Sequence, residues 1–265
     1  MALLDDHGPS PSCQISIASR KAAKGSGPSL WAAPCDNAVI NGIDSLPPLA
    51  RIQHNLLAAP ERKILNWLCA IMPEKIMPDH LTIVGFFGTM MIFLGYVASE
   101  NSPYWFLVAI GGYAINWFGD SLDGSLARYR HMERPKFGYF IDHSLDAVGN
   151  LLTMVGLGCT AFVRMDVALL AASCYLLLSV HTFLAARVLG TFRLSYGLMG
   201  PTELRLVLIG LTVAMFSLDP IVPRLGGHSV FDLFATFVSA ALFVLFAKQT
   251  FVLARALRQS EGGSQ

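Results

Sequence analysis

Four aspartates organise this chain: they lie in Asp120-Ser-Leu-Asp123-Gly124-Ser-Leu-Ala127-Arg128 and, after nine further residues, in Gly138-Tyr-Phe-Ile-Asp142-His-Ser-Leu-Asp146. If both halves are helical, Asp120 and Asp123 share one helix face, because residues three apart are neighbours on a helix. Asp142 and Asp146, four apart, share a face of the next helix. Two helices joined by a short basic connection would therefore point four carboxylates at one spot. Carboxylates at a membrane helix end are costly unless paired, hydrated or bound to cations, so this arrangement indicates a functional site.

The rest of the chain is strongly apolar. Of its 265 residues, 54% are hydrophobic and 14% charged, whereas a soluble domain has about 25% charged residues. Six long apolar segments lie near 81–99, 103–119, 139–163, 167–190, 203–219 and 230–254. Several reach the roughly 20 residues that a helix needs to cross a bilayer. We therefore expect an all-α, multi-pass integral membrane protein, with six transmembrane helices in a domain at 79–258.

The flanking segments have a different character. Residues 1–46 are rich in Ser, Gly, Ala and Pro, which predicts a disordered tail. Residues 47–78 predict an amphipathic helix on the membrane surface, with a soluble packing helix as the alternative; its apolar stripe comprises Ile64, Leu65, Leu68, Ile71 and Met72, with Trp67 near the headgroups. Residues 259–265 are expected to form a flexible C-terminus. The five scattered cysteines contain no CxxC pair, which argues against a disulfide framework and a zinc site.

Basic residues define an orientation. Six spans would put both termini on one side of the membrane, and that side would then collect 17 of the 19 Lys and Arg residues. The opposite side would have only Arg164 and Arg224. Since cytoplasmic loops carry an excess of basic residues, the sequence predicts that both termini and the four aspartates face the cytoplasm.

Clustered carboxylates repel one another, and a bound cation would remove that repulsion. Mg²⁺ and Mn²⁺ prefer carboxylate and phosphate oxygens. The alternative is that the aspartates pair with the basic residues of the connection, namely Arg128, Arg130, Arg134 and Lys136. The small residues Gly124, Ala127 and Gly138 would leave room for a ligand beside the carboxylates.

The full pattern is Asp120-x2-Asp123-Gly124-x2-Ala127-Arg128-x9-Gly138-x3-Asp142-x3-Asp146, in which eight residues are fixed over 27 positions. It resembles the signature of the CDP-alcohol phosphatidyltransferase family. The resemblance extends to the six-span layout and to the Pro-led segment Pro78-Asp79-His80-Leu81-Thr82 before the first span. It does not cover the residues before 47.

This resemblance implies an enzyme of phospholipid biosynthesis that takes a CDP-linked lipid or alcohol, releases CMP and passes the phosphoryl-alcohol unit to a hydroxyl acceptor. It also implies residue roles. Asp120, Asp123 and Asp142 would hold Mg²⁺ or Mn²⁺, with two ions expected, and Asp146 would help hold the second ion and act as general base. The cytidine diphosphate site would be lined by Gly124, Ala127, Arg128 and Gly138.

Several alternatives stay open at the level of sequence. An acceptor phosphate could be bound by Arg187, Arg193 and Arg205. Alternatively, these arginines could be present only because cytoplasmic loops are rich in basic residues. The Asp142-His143 pair resembles the aminoalcohol phosphotransferase branch, which uses CDP-choline or CDP-ethanolamine with diacylglycerol. A divalent cation transporter is the rival of another class, but it predicts acidic residues deep within several spans. A homodimer is a further expectation, and no nucleic-acid partner is expected.

Overall fold

The computed structural model describes residues 50–52, 57–189, 191–193, 201–218 and 227–262. This part of the chain forms seven helices: α1 (Ala58–Ile71), α2 (Pro78–Ala98), α3 (Trp105–Tyr129), α4 (Pro135–Gly158), α5 (Met165–Leu189), α6 (Pro201–Ser217) and α7 (Val230–Gly262). It also contains two short strands, β1 (Ala50–Ile52) and β2 (Thr191–Arg193). The predicted tail at 1–46 lies outside the described residues.

Each of the six predicted apolar segments falls on one of the helices α2 to α7. Three of these, α2, α5 and α7, are long and apolar enough to cross a membrane. Composition and length do not decide whether the other three helices cross a membrane, because α3 and α4 contain the aspartates and α6 has only 17 residues. The helical fold of an integral membrane protein is therefore supported, whereas six crossings stay a prediction.

Helices α2 and α3 approach each other closely through glycine. A Cβ atom added to Gly119 would lie 2.2 Å from the Gly85 nitrogen, and one added to Gly88 would lie 2.4 Å from the Asn116 nitrogen. Because real Cβ atoms do not come so near to backbone, any side chain here would push the helices apart. This contact places the end of α3, where the aspartates begin, directly against the start of α2.

A buried polar contact ties α6 to the same pair of helices. The Tyr96 hydroxyl lies 3.1 Å from the Tyr113 hydroxyl and 2.7 Å from Thr212 Oγ1. The surrounding core is apolar and includes Ile92, Phe106, Leu157, Phe162, Met215 and Phe231. Since buried hydroxyls are costly without partners, this contact fixes how α2, α3 and α6 meet.

The amphipathic helix α1 divides its apolar residues between two environments. Leu65 and Cys69 are buried against Leu81, Leu122 and Leu126 of α2 and α3. By contrast, Ile64, Trp67 and Ile71 are exposed by 48%, 62% and 57%. The predicted stripe is therefore two adjacent faces, one packed on protein and one available to the membrane surface.

Two local features differ from the sequence-based expectation. Strands β1 and β2 pair in parallel, with Ala50 opposite Thr191 and Ile52 opposite Arg193. Helix α7 continues to Gly262, so the first four residues predicted to be flexible are helical. Its last turns are polar, and the Ser260 hydroxyl donates a hydrogen bond to the Leu257 carbonyl there at 2.8 Å.

Candidate active site

The four aspartates of the sequence pattern line one cleft with a volume of about 100 Å³. Asp120 and Asp123 project from α3, and Asp142 and Asp146 project from α4. We call these two pairs the α3 wall and the α4 wall. Other helices complete the cleft, with Thr82 and Gly85 from α2, Tyr175 from α5 and Arg205 from α6. The predicted meeting of four carboxylates is therefore observed.

The α3 wall is held by protein partners. The Thr82 hydroxyl donates to Asp123 Oδ2 at 2.7 Å, and the Gly124 amide donates to Asp123 Oδ1. The Arg205 guanidinium donates to Asp120 Oδ2 in an ion pair that is largely shielded from solvent. Both carboxylates of α3 are thus oriented by neighbouring groups.

The α4 wall has a different set of neighbours. Asp142, His143 and Asp146 each offer a potential ligand atom, and these atoms lie within 4.8 Å of one another. His143 Nδ1 lies 3.6 Å from Asp142 Oδ2, and its ring stacks on Phe183 at 5.1 Å. Asp146 is the most exposed residue of the three, and it also lines the cleft.

Among the described residues that line the cleft, four carboxylates lie beside one guanidinium, that of Arg205. Four carboxylates with one neighbouring arginine therefore disfavour the fully ionised empty state. Their oxygen donors and this excess of charge fit a hard divalent cation.

Two basic residues of the α3–α4 connection are engaged elsewhere. Arg130 donates to the carbonyls of Met72 and Ile76 at 3.0 and 2.6 Å, and Arg134 pairs with Asp79. The alternative in which these arginines neutralise the aspartates is therefore not observed for them. Among the described residues that line the cleft, the cationic side chain is that of Arg205, from α6.

The four residues predicted to line the cytidine diphosphate site lie beside the cleft rather than among its lining residues. Ala127 is half-buried, and Arg128 is exposed and donates to Ser125 Oγ at 3.3 Å. A Cβ atom on Gly124 would first meet the Arg128 guanidinium at 3.5 Å, and one on Gly138 would meet no described atom within 4 Å. Gly138 therefore faces open space, whereas Gly124 lies at ordinary contact distance from Arg128. The role of all four residues stays a prediction.

Some cleft residues were missed by sequence reasoning although their spacing was informative. Asn116 lies four residues before Asp120, and Asn150 lies four residues after Asp146, so each extends the polar face of its helix. Asn116 Nδ2 donates to the Gly85 carbonyl and to Thr89 Oγ1, both at 3.2 Å. Helical spacing applied outward from the aspartates would have found both asparagines.

Comparison with known proteins agrees with this geometry. The sequence model of the CDP-alcohol phosphatidyltransferase family matches residues 75–254. The chain belongs to this family. The match confirms the resemblance and the predicted class of enzyme, and it covers all eight residues of the pattern.

One relative extends the comparison to an individual protein. The archaetidylinositol phosphate synthase of Pyrococcus horikoshii is 32% identical over 95 residues. The aligned region covers 36% of this chain and 47% of the relative, so the chain spans about half the length of this curated relative.

Proposed function

We propose that this CDP-alcohol phosphatidyltransferase moves a phosphoryl-alcohol (phosphatidyl) group from a CDP-alcohol donor to a hydroxyl acceptor and releases CMP, as a step of phospholipid biosynthesis. One observation carries the proposal: all four aspartates of the family pattern line a single cleft. Aspartates that had the spacing of the family pattern by chance would not be expected also to meet in one cleft.

Asp120, Asp123, Asp142 and Asp146 are the proposed ligands of one or two Mg²⁺ or Mn²⁺ ions, with two preferred. The carboxylate donors support a hard divalent ion, and His143 lies within the same group. When bound, such ions neutralise the charge of a pyrophosphate and so favour departure of the nucleotide. The protein's part is to hold donor and acceptor in line.

Asp146 is the proposed general base. Its place among the lining residues of the cleft supports this role, because a general base must lie within hydrogen-bond reach of the hydroxyl that it deprotonates. Asp146 would take the hydroxyl proton while the acceptor oxygen attacks the donor phosphorus that bears the alcohol. The new phosphorus–oxygen bond forms as the pyrophosphate bond breaks, and CMP leaves with the electron pair.

The membrane arrangement is also proposed. We infer six crossings by α2 to α7, with α1 on the membrane surface and the cleft and both termini on the cytoplasmic side. The distribution of 17 of 19 basic residues to that side supports this orientation. A cytoplasmic cleft would receive the water-soluble nucleotide part of a donor whose lipid stays in the bilayer. A homodimer stays a prediction.

For the acceptor, we favour a phosphorylated alcohol such as inositol phosphate. The name of the Pyrococcus relative points to an inositol phosphate lipid as its product, and Arg205 places a guanidinium in the cleft of this chain. Arg187 is exposed on α5, and the side chain of Arg193 lies outside the described part. The aminoalcohol alternative rests on His143, and the stacking of that ring on Phe183 offers a packing reason for it.

Divalent cation transport is less well supported. It requires acidic residues along several spans, yet α2 has no acidic residue after Asp79 and α5 has none after Asp166. The acidic residues of the cleft instead converge from α3 and α4. A transporter would conduct divalent ions in liposomes without any CDP-linked donor.

The deciding experiment is mass spectrometry of the products made by the purified protein in lipid nanodiscs. CDP-diacylglycerol and CDP-choline are each offered with inositol phosphate, glycerol phosphate, inositol or diacylglycerol. We expect CMP and a phosphatidyl product that require Mg²⁺ or Mn²⁺, disappear with a chelator and return when the ion is restored. Absence of CMP release with every pair, or full turnover in chelator, would overturn the proposed function.

A further inference from the structure

One carboxylate outside the cleft joins three helices. Glu61 lies in the first turn of α1, and its Oε1 atom accepts a hydrogen bond from Trp117 Nε1 at 2.9 Å and one from the Ser121 hydroxyl at 3.3 Å, both on α3. The same oxygen accepts a third hydrogen bond from the Thr202 hydroxyl of α6 at 2.9 Å. A single atom of α1 therefore spans the gap between α3 and α6.

The donors to Glu61 lie within one helical turn of the two residues of the ion pair in the cleft. Trp117 and Ser121 flank Asp120 on α3, at three residues before and one after it. Thr202 precedes Arg205 by three residues on α6. The hydrogen bonds of Glu61 and the Arg205–Asp120 pair thus connect the same two helices, α3 and α6, in neighbouring positions. A change in the distance between these helices at Glu61 would therefore also move Arg205 relative to Asp120.

Helix α1 is hydrogen-bonded to neighbouring helices near both of its ends. At its start, the Leu57 amide donates to Glu203 Oε1 of α6 at 3.0 Å. Beyond its end, Arg130 donates to the carbonyls of Met72 and Pro73 at 3.0 and 2.9 Å. Glu203 of α6 therefore binds the start of α1, and Glu61 of α1 binds Thr202 at the start of α6. The two helices are thus linked by two carboxylates, one from each helix.

We propose that Glu61 is a positioning residue for the phosphatidyl transfer: through Trp117, Ser121 and Thr202 it sets the spacing of α3 and α6, and so the geometry of Asp120 and Arg205 in the cleft. The proposal rests on the proposed function. Glu61 is not among the residues that line the cleft. Its effect is transmitted by helix positions, and small displacements of reacting groups are costly in rate.

The test compares Glu61→Ala, which removes the acceptor atom, with Glu61→Gln, which keeps an oxygen at the same place. We expect Glu61→Ala to lower kcat about 10- to 100-fold, the cost of a displacement of about 1 Å, and to weaken Mn²⁺ binding measured by electron paramagnetic resonance without donor. Glu61→Gln is expected to restore both to within about threefold, because one neutral hydrogen bond is a modest part of the total. Glu100→Ala, an exposed carboxylate in the turn between α2 and α3, is the matched control and should leave both unchanged.

A second route avoids dependence on one variant. Thr202→Val removes one donor and Thr202→Ser keeps it, and Glu61→Ala combined with Arg205→Ala completes a double-mutant cycle. We expect Thr202→Val to lower kcat and Thr202→Ser to preserve it, and Glu61→Ala to have little further effect when Arg205 is absent. Wild-type kcat and Mn²⁺ affinity in Glu61→Ala, or fully additive losses in the cycle, would overturn the positioning role. Absence of CMP release in the wild type would instead overturn the proposed function.

Discussion

The two walls of the aspartate cleft contain the same side chain but hold it in different ways. On the α3 wall, Asp120 and Asp123 accept hydrogen bonds from Arg205, Thr82 and the backbone. On the α4 wall, Asp142 has His143 beside it, and Asp146 is the most exposed residue of its group. The α3 wall therefore depends on neighbouring helices for its geometry, and the α4 wall contains Asp146, the proposed general base.

This difference suggests a division of labour. A carboxylate that is oriented by fixed donors binds a ligand without having to be ordered first, so the α3 wall suits a permanent binding role. A carboxylate that solvent can reach suits transfer of a proton to or from an incoming molecule. Substitutions on the α3 wall should accordingly weaken binding, whereas substitutions on the α4 wall should slow proton transfer.

The largest effect is expected on the α4 wall. Asp146→Asn removes the base but keeps the size of the side chain, so CMP release should fall about 10²- to 10⁴-fold, the usual contribution of general base catalysis. Folding and membrane insertion should be preserved. Initial rates of CMP release, with thermal unfolding of the same samples, measure the two quantities.

Asp166→Asn is the matched control for that substitution. Asp166 lies in the first turn of α5 and pairs with Arg164 at 2.7 Å, with both side chains at least half-exposed. Exposed ion pairs contribute little to stability, so this variant should have wild-type turnover. Wild-type turnover in Asp146→Asn would remove the general-base role and with it the proposed difference between the walls.

The sequence predicted each wall better than it predicted what surrounds them. Spacings of three and four residues are local, so the pairing of Asp120 with Asp123 and of Asp142 with Asp146 follows from helix geometry alone. Hydropathy likewise located the helices α2 to α7, because apolar length is a local property. Their meeting in one cleft followed because the connection between α3 and α4 is short.

The contacts that the sequence could not predict join distant segments. Arg205 and Asp120 are 85 residues apart, and Glu61 meets Thr202 across 141 residues. Such pairs depend on which helices pack together, and a glycine contact such as that of Gly85 with Gly119 fixes this only once the helices are docked. The strands β1 and β2 are each three residues long, too short for an alternating pattern to be recognised.

An intermediate effect is expected on the α3 wall. Thr82→Val removes the hydroxyl that donates to Asp123 at 2.7 Å. A hydrogen bond to a charged group contributes about 1.5 to 3 kcal/mol, so Mn²⁺ affinity should fall about tenfold or more. Turnover at saturating Mn²⁺ should change much less, because the base on α4 is untouched.

Thr82→Ser separates the hydroxyl from the shape of the side chain. Serine keeps the donor, so Mn²⁺ affinity measured by electron paramagnetic resonance should stay close to that of the wild type. Equal losses in Thr82→Ser and Thr82→Val would show that packing at this position, rather than support of Asp123, is what matters. A loss of turnover at saturating Mn²⁺ in Thr82→Val would show that the two walls do not divide binding from proton transfer.

The smallest effect is expected at Gly138, near the start of α4. A Cβ atom on Gly138 would meet no described atom within 4 Å, and alanine favours a helix over glycine by about 0.5 to 1 kcal/mol. Gly138→Ala should therefore keep or slightly raise the unfolding temperature. If Gly138 borders the donor site, the methyl group should raise KM for the CDP donor about threefold, because a close contact costs a fraction of the about 1.4 kcal/mol that corresponds to tenfold.

Gly210→Ala is the matched control for this last substitution, because Gly210 on α6 has the same open surroundings and lies outside the cleft lining. It should leave KM for the donor unchanged while affecting the helix in a similar way. Steady-state kinetics with varied donor distinguish the outcomes. An equal KM in both variants would place the cytidine diphosphate away from the start of α4, and the donor site would then have to be sought along α3, near Gly124 and Arg128.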